Sequence, residues 1–304
     1  MPHHPSRGSG VSLGGVIRLD AATLLLQWAA GGMLFCWFTT RRRQVGLGYG
    51  WLLRGTYGLM ALGAFAAGMK FGANPVREPM ALATAIATFA ALGVSIARKA
   101  AGVAGDNEEH DRRTERVAAM TGIERTGRVG LADAGADRGP EFPPLLDLVP
   151  VGFALVGLVA AGVDAGGHTA VAVVRTVIGA AFLGSISDAM LLGHWYLVQP
   201  GLPRKLLNEL VSALGWVWPF EVVALLLPTG MFSVLGGSVD DGWNGMLGWF
   251  WVACAIGTIA LVVVTRAALK ERAYSAVMAA TGLLYLAILT AFGTDLVARA
   301  VLAG

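Results

Sequence analysis

The chain has 304 residues, 55% of them hydrophobic and only 14% charged, against about 25% charged in an ordinary soluble domain. A mean hydropathy of +0.63 excludes disordered, collagenous and disulfide-scaffold proteins, and a soluble fold would have too little polar surface to cover itself. The net charge of +3, from 23 Lys and Arg against 20 Asp and Glu, implies no nucleic-acid partner.

Apolar runs near the ~20 residues that cross a bilayer recur at about 21–40, 52–72, 80–97, 146–163, 169–192, 210–231, 246–266 and 273–296. Lipid offers the backbone no hydrogen-bond partner, so these runs predict helices. Nothing alternates in the ten-residue manner of a membrane barrel. The sequence therefore reads as an all-α polytopic bundle of about eight spans, a single integral membrane domain over 1–304. Arg7 and Arg18 precede the first run, but no small-residue cleavage site follows it. The run ends Phe38-Thr39-Thr40 and meets Arg41, Arg42 and Arg43, so the first helix is expected to be retained.

Lys and Arg accumulate in alternate gaps. One set of gaps and edges holds 16 of them and the other, tails included, holds 5. Dropping the long 98–145 segment leaves the bias at 8 to 5. Basic loops stay in the cytoplasm, which places 98–145 inside and both termini on the non-cytoplasmic side of the cell (inner) membrane. That segment mixes both signs around 106–113 and is either a solvated loop or a docking surface for cytoplasmic-face subunits.

Rings that prefer the headgroup level gather in two belts. Tyr49, Trp51, Tyr57, Trp195, Tyr196 and Tyr274 belong to the cytoplasmic one, and Trp243, Trp249 and Trp251 to the other. Trp216, Trp218 and Tyr285 sit deeper. Small residues four apart, such as Ala180 and Gly184 or Gly63 and Ala67, predict close helix contacts. Cys36 and Cys254 fall within spans, and their spacing suits neither a metal site nor haem attachment.

Ionisable groups inside the membrane are functional candidates by default. Arg54, Arg175, Asp188, Glu221 and Asp295 qualify, whereas Asp147 falls too near the start of its span. Arg54 has the length to snorkel to the interface, or to pair with Asp188. Glu221 reads as a midplane carboxylate beside the break at Pro219, either hydrogen-bonded to the carbonyl that Pro219 frees or serving a proton or ion pathway. The fifth span ends in Gly193-His194-Trp195-Tyr196. With Asp188 behind them and Arg54 nearby, these residues supply an aromatic wall, a donor and a titrating imidazole. That combination suits a quinone or a lipid headgroup. Only His194 of the five histidines lies at a span, which disfavours a bis-His haem within one chain.

Three functions compete. The first is a subunit of a redox or respiratory complex that contacts quinone near His194 and takes part in electron transport. The second is a small proton-coupled transporter built on Glu221. The third is a purely structural or assembly role among other membrane subunits.

Overall fold

The computed structural model describes residues 20–103, 140–165, 168–199, 202–227, 230–271 and 273–302. Most of the 98–145 segment and both extreme termini lie outside the described residues. Nine α-helices are described: α1 (Ala21–Thr40), α2 (Leu47–Phe71), α3 (Arg77–Ala97), α4 (Leu148–Asp164), α5 (Thr169–Val198), α6 (Arg204–Leu226), the short α7 (Met231–Leu235), α8 (Met246–Ala268) and α9 (Tyr274–Leu302). Short 3-10 turns cover Lys99–Ala101 and Pro144–Asp147. No strand occurs among the described residues.

Among the described residues, seven helices are long and apolar enough to cross a membrane: α1, α3, α4 with the turn before it, α5, α6, α8 and α9. The chain is a multi-pass membrane protein. Its polarity is inverted relative to a soluble fold, because Leu59, Ile86 and Leu289 are more than 60% exposed while Arg54, Asp147, Asp188, Glu221 and Asp295 are buried. The predicted second span differs in kind. The 25-residue α2 falls below the hydropathy of the other seven, since Arg54, Lys70, two tyrosines and six glycines dilute it. It nevertheless runs antiparallel to α3 along its whole length. Trp51 meets Ser95 near one end, and Gly68 meets Glu78 near the other.

Helix boundaries follow local chemistry. The Asp20 carboxylate caps α1 by accepting from the Ala22 amide at 3.0 Å, satisfying one of the free donors of the first turn. Asn74 Oδ1 does the same for α3, accepting from the Val76 and Arg77 amides at 2.9 Å. Ahead of α8 the Asp241 carboxylate accepts four backbone N–H groups, from Trp243, Gly245, Leu247 and Gly248. Desolvation opposes ionisation there, but these donors outweigh it and hold the carboxyl below its ordinary range,.

The packing divides the helices into two groups. Helices α1, α2, α3 and α4 form a ring in which each packs on the next and α4 returns to α1; α5, α6, α8 and α9 close a second ring in the same order. The rings meet chiefly where α1 lies along α5. These two helices run parallel, as the contacts from Gln27 to Thr176 and from Gly31 to Ala180 and Gly184 require. A Cβ on Gly31 would fall 1.7 Å from the Ala180 carbonyl oxygen, and one on Gly184 would fall 2.1 Å from the Gly31 carbonyl carbon. Only hydrogen fits at either position, so the Ala180–Gly184 spacing read from the sequence is a backbone contact between the rings.

Gly31→Val should therefore force α1 and α5 apart at a cost of about 1–3 kcal/mol, the usual range for overfilling a packed core. A lower thermal midpoint in detergent, compared with Gly93→Val where a Cβ meets nothing, measures it.

Candidate functional site

Three polar clusters occupy the interior at three levels. The first lies at the arginine-rich end, near Arg41 to Arg43. Arg54 grips Asp147 with both arms of a fork: Nε donates to Oδ1 and Nη2 to Oδ2, each at 2.7 Å. The two side chains are 3% and 0% exposed. Phe142 covers the guanidinium at 4.2 Å, and Thr40 contributes a longer hydroxyl contact to Asp147. Gly50 makes room, since a Cβ there would lie 2.5 Å from Arg54 Nη1. Two sequence expectations are thereby corrected. Arg54 neither snorkels nor pairs with Asp188; Asp147, set aside as too close to its span's start, is the counter-ion. The 3-10 turn Pro144–Asp147 folds that carboxylate inward, beneath the helix end where hydropathy alone had placed it in the headgroups.

The second cluster lies near the middle. Asp188 is ~15 Å from the Val198 end of α5, and Tyr57 is ~15 Å from the start of α2, at 1.5 Å per residue. The Tyr57 hydroxyl donates to Asp188 Oδ1. Asp188 Oδ2 and the Tyr49 hydroxyl are buried without a hydrogen-bond partner. Asp188, Tyr49 and Tyr57 are all within 1% of complete burial. Gly32 lets the Tyr57 ring lie directly on α1, and Trp28 Nε1 donates to the Ser187 hydroxyl at 2.8 Å beside Asp188. No ion pair to Asp188 exists among the described residues. Tyr49 and Tyr57, expected in the interfacial belt, are interior polar groups. Tyr57 stands on the first ring and Asp188 on the second, so this pair bridges the two halves.

The third cluster fills the opposite end. Arg299 forks onto Asp295 at 2.7 and 3.0 Å, and Gln27 donates to the Thr176 carbonyl at 2.6 Å. Arg175 reaches the last carbonyls of α6, donating from Nε to Ala224 at 2.6 Å and from Nη2 to Leu227. Glu221 is 1% exposed and its Oε2 has no hydrogen-bond partner. Its depth corrects a further expectation. Helix α6 begins at Arg204, not at 210, which puts Glu221 ~26 Å from that start and ~8 Å from the far end. It is not a midplane residue. No hydrogen bond ties it to a carbonyl freed by Pro219, through which α6 continues as helix. Pro228 lies outside the described residues. Nearby, Arg77 binds Asp20, Glu78 at 2.6 Å and the Thr23 hydroxyl at 3.0 Å.

The His194, Trp195 and Tyr196 group does not assemble with Asp188 and Arg54. Trp195 Nε1 donates to Gln199 Oε1 at 3.1 Å and its ring lies 5.8 Å from that of Tyr49. The same Gln199 oxygen accepts from the Gly46 amide. Tyr196 donates to the Pro203 carbonyl at 2.8 Å. Both residues thus fasten the end of α5 to its surroundings. His194 points to the outer surface, where Nδ1 meets the Tyr285 hydroxyl at 3.2 Å. The missed participants are Tyr57, Asp147, Gln27 and Arg299. A tyrosine and a glutamine well inside apolar runs, and an Asp and Arg four apart at the end of the last, were the available signals.

No family model, curated protein or solved structure matches this chain. The functional reading therefore rests on these three clusters.

Asp147→Asn should leave the Arg54 guanidinium buried with only a neutral partner and cost about 3–5 kcal/mol. Arg54→Met combined with Asp147→Leu should recover most of that loss, as measured by thermal unfolding in detergent.

Proposed function

We propose that this chain is a small proton-coupled carrier of the cell membrane, with eight spans when α2 is counted and Asp188 as the carboxylate that gains and loses the coupling proton. The observation that carries the reading is the pairing of Asp188 with Tyr57 at mid-depth, without a cation. Ionised, Asp188 is an uncompensated charge in a medium where that costs a few kcal/mol. Protonated on Oδ2, it has a hydroxyl without an acceptor; protonated on Oδ1, it donates to the Tyr57 oxygen and leaves the Tyr57 proton without one,. Neither state is fully satisfied, which suits a group that exchanges its proton rather than one that fixes a helix pair. Its position supports the same reading, because carriers hold their sites near the midplane between two sets of helices that rock against each other. Here the two sets run in the same sense, as parallel repeats do. The orientation follows the basic residues: Arg41, Arg43, Lys99, Lys205, Arg266 and Lys270 are exposed at one end, whereas at the other Lys70 is exposed and Arg77, Arg175 and Arg299 are buried. This favours a cytoplasmic arginine-rich end and external termini.

In proteoliposomes carrying an internal pH indicator, Asp188→Asn should abolish proton uptake and Tyr57→Phe should slow it. Wild-type uptake by Asp188→Asn would refute the assignment.

A second reading, a redox-complex subunit contacting quinone, draws support from the exposed His194–Tyr285 pair, whose rings stand edge to face at 6.3 Å on the lipid-facing surface. On that reading quinone co-purifies with the wild type and is lost from His194→Ala, which extraction and chromatography would measure.

A further inference from the structure

Four buried arginines are described in the interior, and three are neutralised in direct contact. Arg54 has Asp147, Arg77 has Asp20 and Glu78, and Arg299 has Asp295. Arg175 is the exception. It is 3% exposed, and its described hydrogen bonds go only to the Ala224 and Leu227 carbonyls. These end-of-helix carbonyls carry partial negative charge, but they are neutral groups and do not balance a full cation. Its remaining nitrogen, Nη1, is buried with no partner. The opposite charge that acts on it is that of Glu221, with no hydrogen bond between the two. A buried cation with no carboxylate in contact and one hydrogen bond unmade is expensive.

Arg175 also lines a cleft. Thr23, Thr176, Asp164 and the ion pairs Asp20–Arg77 and Asp295–Arg299 stand around it, at the end opposite the arginine-rich loops. The cleft occupies about 470 Å³ counting its mouth, although its enclosed part holds little more than a water molecule. Gly179 keeps the inner wall open, because a Cβ there would lie 2.8 Å from Gln27 Nε2 and 3.5 Å from Asp295 Oδ1.

We propose that this cleft binds a small monovalent anion, a halide or formate, on the free Nη1 donor of Arg175. The guanidinium supplies charge and one N–H, and the enclosed space, close to that of a water molecule, suits a small ion better than phosphate, sulfate or a longer carboxylate,. As the solute carried with the proton, the anion rests on the carrier reading above; as a bound ligand it stands without it.

The test uses the full-length protein in detergent, titrated with sodium chloride or sodium formate at ionic strength held constant with sodium gluconate. A ligand of the folded state raises the unfolding temperature in a saturable manner. Chloride and formate should do so, and sulfate should not. Arg175→Gln should weaken the affinity about 10- to 100-fold, the range for a hydrogen bond to a charged group. Should that variant fail to fold, Thr176→Leu fills the cleft while leaving Arg175 in place, and it should abolish the saturable response. A wild type with no saturable response to either anion, or a Thr176→Leu protein that responds like the wild type, overturns the site. Asp188→Asn separates the two proposals: it should keep the anion response and lose proton uptake. Retained uptake with retained anion binding sinks the carrier reading alone, whereas lost uptake in a protein that binds no anion sinks the anion site alone.

Discussion

A guanidinium or carboxylate placed in hydrocarbon has no water to replace a missing partner, so every such group must be answered from within the chain. The Arg54–Asp147 fork is the fullest instance. It joins the first third of α2 to the turn that precedes α4, with α1 adding Thr40 and the Phe142 ring closing one face of the guanidinium. Helix α2 is the least apolar of the long helices, and this pair lets it sit among the others. Charges at the opposite end follow the same rule through Asp20, Arg77, Glu78, Asp295 and Arg299. Most of the ionic interior is structural on these grounds. The exceptions, Asp188, Glu221 and Arg175, stand out because the rule is obeyed so consistently elsewhere.

The exceptions also occupy particular places. Asp188 and Tyr57 meet across the boundary between the two helix rings, beside the glycine contact at Gly31 and Gly184. Small residues allow two helices to approach closely without interlocking side chains, and a sliding or rocking motion needs such a seam. Arg175 and Glu221 lie at one end of the same boundary. On the proposed reading, the proton site at mid-depth and the anion site opening to one side complement each other, since co-transport of the two would be electroneutral.

Much of the fold was legible from the amino acids. The first span, 21–40, coincides with α1, and the remaining apolar runs each fall within a helix or differ from one by a few residues at the ends. The larger discrepancies have a common cause. Helix α5 extends to Val198 and α6 begins at Arg204 because amphipathic and charged turns at an interface remain helical, and hydropathy does not register them. That extension is what moved Glu221 out of the midplane. Tyr49 and Tyr57 were misread for a related reason: aromatic rings with a polar tip suit both the headgroup layer and a buried hydrogen bond, and composition does not separate the two.

Hydropathy and the cost of an unpaired backbone in lipid determined the helical class, the approximate spans and the set of suspect intramembrane charges. Those are one-dimensional properties, governed by the transfer of each segment from water to lipid. Pairing was different. Arg54 and Asp147 are 93 positions apart, and Tyr57 and Asp188 are 131 apart; no spacing along the chain encodes either contact. Only the closure of the two rings brought these groups together, assigned Arg54 to Asp147, left Asp188 without a cation and left Arg175 without a carboxylate in contact.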